Sequence, residues 1–288
     1  MAKRKRQWSL TRELRFLKEW LPAKRDFLID HQRRRIEDEL KAPTKYSRVS
    51  ISTSFGCMAS WIGGQAVVQV AAADAEGWRL VQGSYAYWHW EQRILEGLRR
   101  HGAMTRSDRL RVSLVLGHAL AIGDQEVASW AGDTIVESLD EPEIMNPAWD
   151  LVGALPPLMV RVYALHRQLP IDFAQYDHGK LYAYQKVLDA WEDPRALEGA
   201  LVEACDYHVN RCRGEALGLE FAYNPYAVFP AEILAIYRVR GDLGLETPAL
   251  EHPLLESPLA RPPETMPEYH DELLERVLKQ LRAEMPDI

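Results

Sequence analysis

Apolar side chains recur along most of this chain at three- and four-residue intervals, the spacing that lines one face of an α-helix. Leu14, Leu17 and Leu21 form the first such stripe, and Phe27 and Leu28 resume it after Pro22, whose missing N–H predicts two short helices rather than one. The second runs through Ile36 to Leu40 and ends before Pro43. Val49, Ile51 and Thr53 alternate with polar residues as a short strand would, but no second strand signal lies nearby, so this stretch reads as a loop or helix entrance. Phe55 to Trp78 reads as a buried helix through Met58, Trp61, Ile62, Val67, Val70 and Ala71, with Gly63 and Gly64 admitting a close neighbour or a kink. Ser84 to Leu98 reads as an aromatic-rich helix.

Two further helices, Leu110 to Ile122 and Val127 to Leu139, are separated by Gly123 and Asp124. Glycine suits a helix C-terminus and aspartate the next N-cap, and so short a link predicts antiparallel packing. Beyond Asp140 to Pro147, Trp149 to Leu165 reads as a helix that Pro156 and Pro157 would kink or divide. Leu181 to Trp191 and Leu197 to Arg211 form another pair, the second opened by the Asp193 cap and Pro194 and closed by Gly214. Pro230 to Arg240 is apolar on nearly every side and belongs in a core, with Gly241 as its stop; Pro267 to Glu284 is amphipathic. The predicted fold is all-α: a bundle of antiparallel helix pairs, as one body or as two packed helical subdomains. The expected division is residues 1–145, a helical region with a basic arm, and 146–288, a second helical region.

Composition narrows the function. With 288 residues and 47% hydrophobic content the chain can bury a substantial core. No apolar run approaches the roughly 20 residues of a membrane span, so no membrane is expected as a partner. The charged start, Lys3 to Arg6, is not followed by the apolar stretch of a signal peptide. Three cysteines, Cys57, Cys205 and Cys212, suit a reducing cytoplasm. The total charge of −7 conceals a polarity: residues 1 to 41 hold 13 Lys and Arg against 7 Asp and Glu, so the remaining 247 residues carry −13. An acidic body repels nucleic acid and attracts basic proteins, and no nucleic-acid module accompanies the basic arm.

The chemical candidates are few. Cys205, His208 and Cys212 share one helix face and are zinc-ligand types, but one helix rarely closes a tetrahedral site, and a hydrogen-bonded histidine among small packing residues is the favoured reading. His89-Trp90-Glu91 matches half of the zinc-deaminase signature, and the Pro-Cys-x-x-Cys half is absent. No phosphate-binding loop, nucleophile elbow or metalloprotease motif occurs. No cofactor, no metal and no catalytic residue are therefore assigned. Glu232, a carboxylate within an apolar helix, requires a cation such as Arg238, Arg240 or His208, and reads as half of a structural ion pair. Trp88, Trp191 and Tyr207 read as core anchors.

Tyr184 to Trp191 followed by Asp193-Pro194, then Ala204-Cys205-Asp206-Tyr207-His208, and then Asn224-Pro225 leading into the acid-bearing apolar helix after Pro230 make a pattern over the last third of the chain. It resembles the all-helical immunity proteins, PoNi-like and related families, that bacteria carry beside polymorphic toxins, including those delivered by type VI secretion. The resemblance implies a cytoplasmic protein that binds a cognate toxin, covers its active site and turns over nothing. A nuclease-type effector with a basic cleft suits the acidic body, although other toxin chemistries stay open. On that reading Asp140, Glu141 and Glu143 in one loop, and Asp172, Tyr176 and Asp177 in another, are the expected partner-binding residues. A helical adaptor of a bacterial assembly, or an enzyme of unrecognised type, are the competing classes.

Overall fold

A computed structural model describes residues 8–44, 46–145, 153–175, 180–212, 219–286 and 288. Its ordered elements are helices: α1 (Leu10–Arg25), α2 (His31–Lys41), α3 (Ser47–Ala71), α4 (Glu76–Arg100), α5 (Arg109–Ile122), α6 (Gln125–Asp140), α7 (Leu155–Arg167), α8 (Ala183–Asp189), α9 (Pro194–Asn210), α10 (Ala231–Asp242) and α11 (Glu272–Glu284). Among the described residues there is no strand beyond an isolated bridge between Ser107 and Met145. No described helix is long and apolar enough to cross a membrane.

The centre is a hairpin of two 25-residue helices, α3 and α4. A missing side chain lets a distant segment lie tight against it. A Cβ on Gly63 would lie 2.5–2.6 Å from the backbone of Asn224 and Pro225, so only glycine lets that segment lie against α3. Val49, Ile51 and Thr53 fall inside α3, because Ile51 and Phe55 are fully buried on its inner face and tertiary packing overrides local β-propensity. The single helix expected over Phe55 to Trp78 is divided: α3 stops at Ala71 and α4 begins at Glu76. The turn between them places Ala73 at φ 56° and has the Asp74 carboxylate accept from the Glu76 N–H.

At the N-terminal edge the two expected short helices are one continuous rod. The α1 helix passes through Pro22, then widens to π geometry over Asp26–Asp30 and continues as α2. Buried Leu17, Leu21 and Ile36 hold the rod near α3, and the Trp61 indole donates to the Leu21 carbonyl, so tertiary contact outweighs one lost ladder bond. The α11 helix starts at Glu272, later than expected, because Asp271 supplies the N-cap by accepting from Leu273 and Leu274 N–H groups. It is tied on by Arg48–Glu284 and Arg33–Asp271 ion pairs.

The second half is built on the α5–α6 hairpin, where Gly123 is left-handed (φ 79°) and the Asp124 carboxylate caps α6. The Arg109 guanidinium, at the start of α5, donates to the Ser138 carbonyl near the end of α6, so the pair is antiparallel. Against α6 runs α7, also antiparallel: its Tyr163 hydroxyl donates to Asp133 and its Arg167 to Ser129. Pro156 and Pro157 do not kink this helix; they occupy its first turn, where no N–H is needed. Trp149, the expected start, lies outside the described residues. The α10 helix packs on α5 and α7 with Ile233, Ile236 and Val239 buried. It runs past Gly241 to Asp242. The α8–α9 pair closes this end, with Asp193 capping α9; Gly214 lies outside the described residues and α9 ends at Asn210.

Candidate functional site

Glu232 sits in the first turn of α10, where the helix N-terminus favours negative charge. Its Oε1 is 2.8 Å from His208 Nδ1 on α9 and accepts from the Tyr184 hydroxyl on α8 at 3.1 Å. The His208 and Glu232 side chains are 0% and 2% exposed. Of the three cations considered for Glu232, the partner is His208; Arg238 pairs with Asp242, and Arg240 turns to backbone carbonyls. Burial pushes the imidazole toward its neutral form, but the Glu232 carboxylate more than offsets this, and the His208 pKa rises to about 10. The ring stacks on Phe221 with centroids 4.0 Å apart. Cys212, the outer member of the Cys205/His208/Cys212 face, donates its thiol to the carbonyls of His208 and Ala227. Cys212 and His208 thus direct their polar atoms at backbone carbonyls and at Glu232.

Two more buried carboxylates serve as internal fasteners. Glu220 accepts from the Ala154 and Leu155 N–H groups at 2.8 and 2.7 Å, capping α7 from a distant segment, and also accepts from the Tyr207 hydroxyl. Glu91, the acid of the His89-Trp90-Glu91 triplet, pairs with Arg111, whose guanidinium lies over the Trp88 and Tyr223 rings. Burial is the main influence on Glu91 and, although Arg111 opposes it, raises the carboxyl to about 7. His89 and His118 lie among aromatic rings, and burial drives both down to about 3, so they are neutral.

The open feature of the second half is a cleft of about 770 Å³ between the end of α7, α8 and the chain after α10. Its walls include Leu165, Leu169, Phe173, Leu188, Trp191 and Leu245, and its rim includes Asp189 and Glu192. Arg161 also lines it, but donates to the Pro157 carbonyl and lies 4.4 Å over the Phe173 ring. One buried residue braces the two walls. Arg240 is fully buried and donates to the Trp191 carbonyl on one side, and to the Glu246 carbonyl and Thr247 hydroxyl on the other. Its guanidinium also lies over the Trp191 ring. At the lip, Gln168 ends α7 in a left-handed conformation (φ 52°) that glycine usually supplies.

The expected partner-binding acids are divided by this geometry. Asp140 is the last residue of α6, Glu141 follows as its C-cap and Glu143 lies in a 3-10 turn; all three are exposed. Asp172, also exposed, lies beyond the other end of α7, beside the cleft residue Phe173. The two groups are therefore separated by the length of α7, roughly 20 Å at 1.5 Å per residue. Tyr176 and Asp177 lie outside the described residues. The sequence singles out Arg240 only as a possible partner of Glu232, and gives no sign of the cleft or of Glu220. A buried arginine is the one of these with a local signal, since Arg240 falls on the inner face of an apolar helix. No family model, no curated protein and no solved structure matches the chain.

Proposed function

We propose that this protein is a bacterial immunity protein that binds a cognate toxin and occludes its active site, without catalysis of its own. What carries the reading is the disposition of its charged groups. The described carboxylates and imidazoles with the strongest interactions are spent inside the fold: Glu232 on His208 and Tyr184, Glu220 on a helix N-terminus, and Glu91 on Arg111. Acids such as Asp189 and Glu192, which form no ion pair among the described residues, stand instead on the surface around an open apolar cleft. A body of charge −13 beyond the basic arm favours encounter with a basic partner. The resemblance of the last third to PoNi-like proteins points the same way.

The test is a growth assay. The adjacent reading frame is expressed in a susceptible host with and without this protein, and the pair is then co-purified. Rescue of growth with a stable complex supports the inhibitor, whereas toxicity without rescue, or a harmless neighbour, removes it.

A further inference from the structure

We propose that the cleft between α7, α8 and the chain after α10 is the seat of a short partner segment that is apolar at its centre and flanked by lysine or arginine. The proposal deepens the reading of the protein as a binder of a basic partner, and rests on it.

The walls select the centre of that segment. Leu165, Leu169, Phe173, Leu188, Trp191 and Leu245 offer apolar surface on both sides, and Leu169 remains 36% exposed. A small-molecule site of this volume carries a few polar groups aimed inward to fix the ligand's orientation. Here the polar lining among the described residues, apart from the rim acids, is Gln168, Gln185 and Arg161; the Gln185 amide is held by Asp189, and Arg161, the one cation, is committed to the Pro157 carbonyl and the Phe173 ring. An apolar stretch of another protein needs no such groups, because buried area supplies its affinity.

The rim selects the flanks. Asp189 and Glu192 are exposed, and neither forms an ion pair among the described residues; Asp189 only accepts from the Gln185 amide at 2.8 Å. Asp172, beside Phe173, adds a third exposed acid. The neighbouring cation Lys186 is held by Glu203. Exposed acids beside an apolar cleft complement lysine or arginine at either end of a bound segment and disfavour acidic ones. The buried Arg240 strut joins the two walls, so the cleft exists before the partner arrives and little ordering is left to oppose binding.

The test uses the full chain and two synthetic amphipathic peptides with identical apolar residues, one flanked by lysines and the other by glutamates. Binding is followed by fluorescence anisotropy. The lysine peptide is expected to bind saturably and the glutamate peptide at least ~10-fold more weakly. The double variant Asp189→Lys/Glu192→Lys should lose about 10-fold in affinity for the lysine peptide, with the difference shrinking in high salt. Leu169→Ser should weaken both peptides while lowering the melting temperature by no more than ~3 °C, since about a third of Leu169 is already exposed.

Equal binding of the two peptides, or no saturable binding of the lysine peptide, overturns the proposal. So does self-association that Leu169→Ser abolishes, which would make a second copy of the chain the occupant. If the charge-reversed variant neutralises a toxic neighbour as well as the wild type, the cleft proposal falls while the inhibitor reading stands. If no neighbour is toxic but the lysine peptide binds and responds to charge reversal, the reverse holds.

Discussion

Replacing Glu232 by alanine tests the most heavily committed polar group in the fold. The substitution removes the carboxylate that holds His208 protonated and strands the Tyr184 hydroxyl. With its pKa near 10, His208 is charged at pH 7; without Glu232 burial makes it neutral, and the stabilisation lost is about 4 kcal/mol at 1.36 kcal/mol per unit over three units. That agrees with the roughly 3–5 kcal/mol expected when one partner of a buried pair is removed. For a chain of this size it lowers the melting temperature by about 10 °C. The sign with pH follows from the raised histidine value: the pair's contribution is complete below the ordinary imidazole value of 6.5 and is lost as pH rises through about 10. Thermal unfolding by circular dichroism at pH 6, 8 and 10 should therefore show the deficit of Glu232→Ala narrowing as pH rises. A melting temperature within ~2 °C of wild type at pH 6, or a deficit independent of pH, refutes this account of the pair.

Other substitutions separate the remaining fasteners. Glu220→Ala leaves the Ala154 and Leu155 N–H groups at the start of α7 and the Tyr207 hydroxyl without their acceptor and should cost about 2–3 kcal/mol, with hydrogen exchange accelerated in the first turn of α7 rather than throughout. Because Glu91 titrates near 7 when folded, against 4.5 ordinarily, its contribution to stability should fall as pH rises from 4.5 to 7, and the stability difference between wild type and Glu91→Gln should shift against the wild type by up to about 3 kcal/mol across that interval. Gly63→Ala forces a Cβ into the Asn224–Pro225 backbone and should cost at least ~1–3 kcal/mol, whereas Gly199→Ala, with open space around it in α9, should stabilise by up to ~1 kcal/mol; chemical denaturation of the two variants checks the contrast.

Much of the architecture is legible wherever two local signals coincide. The α5–α6 hairpin is readable because glycine at a C-terminus is followed at once by an aspartate cap, and the start of α9 because Asp193 precedes Pro194. The α3–α4 turn gives no such warning, since alanine rather than glycine takes the positive φ at position 73. Pro22 and Pro156 mislead for opposite reasons: the first is carried through a helix held by packing, and the second starts a helix where an interruption was expected. The candidate site is less legible because its parts are remote in the chain. Glu220 caps residues 65 and 66 positions away, and Arg240 reaches a carbonyl 49 positions away. The cleft is assembled from α7, the segment after it, α8 and the chain beyond α10, none of which is unusual alone. Glu232 is conspicuous in the sequence because a carboxylate in an apolar helix requires a partner, and His208 is one of the three cations the sequence offers it.

The inhibitor reading makes a demand that stability measurements cannot meet: the purified protein must silence a toxin stoichiometrically. The most direct measurement is titration of the adjacent gene's purified product, assayed for its own toxic activity, with the full chain. The account predicts activity falling linearly to zero at a fixed molar ratio, with this protein recovered unchanged from the complex. Undiminished activity at molar excess, or loss of activity only through breakdown of the toxin or its substrate by this protein, would contradict it.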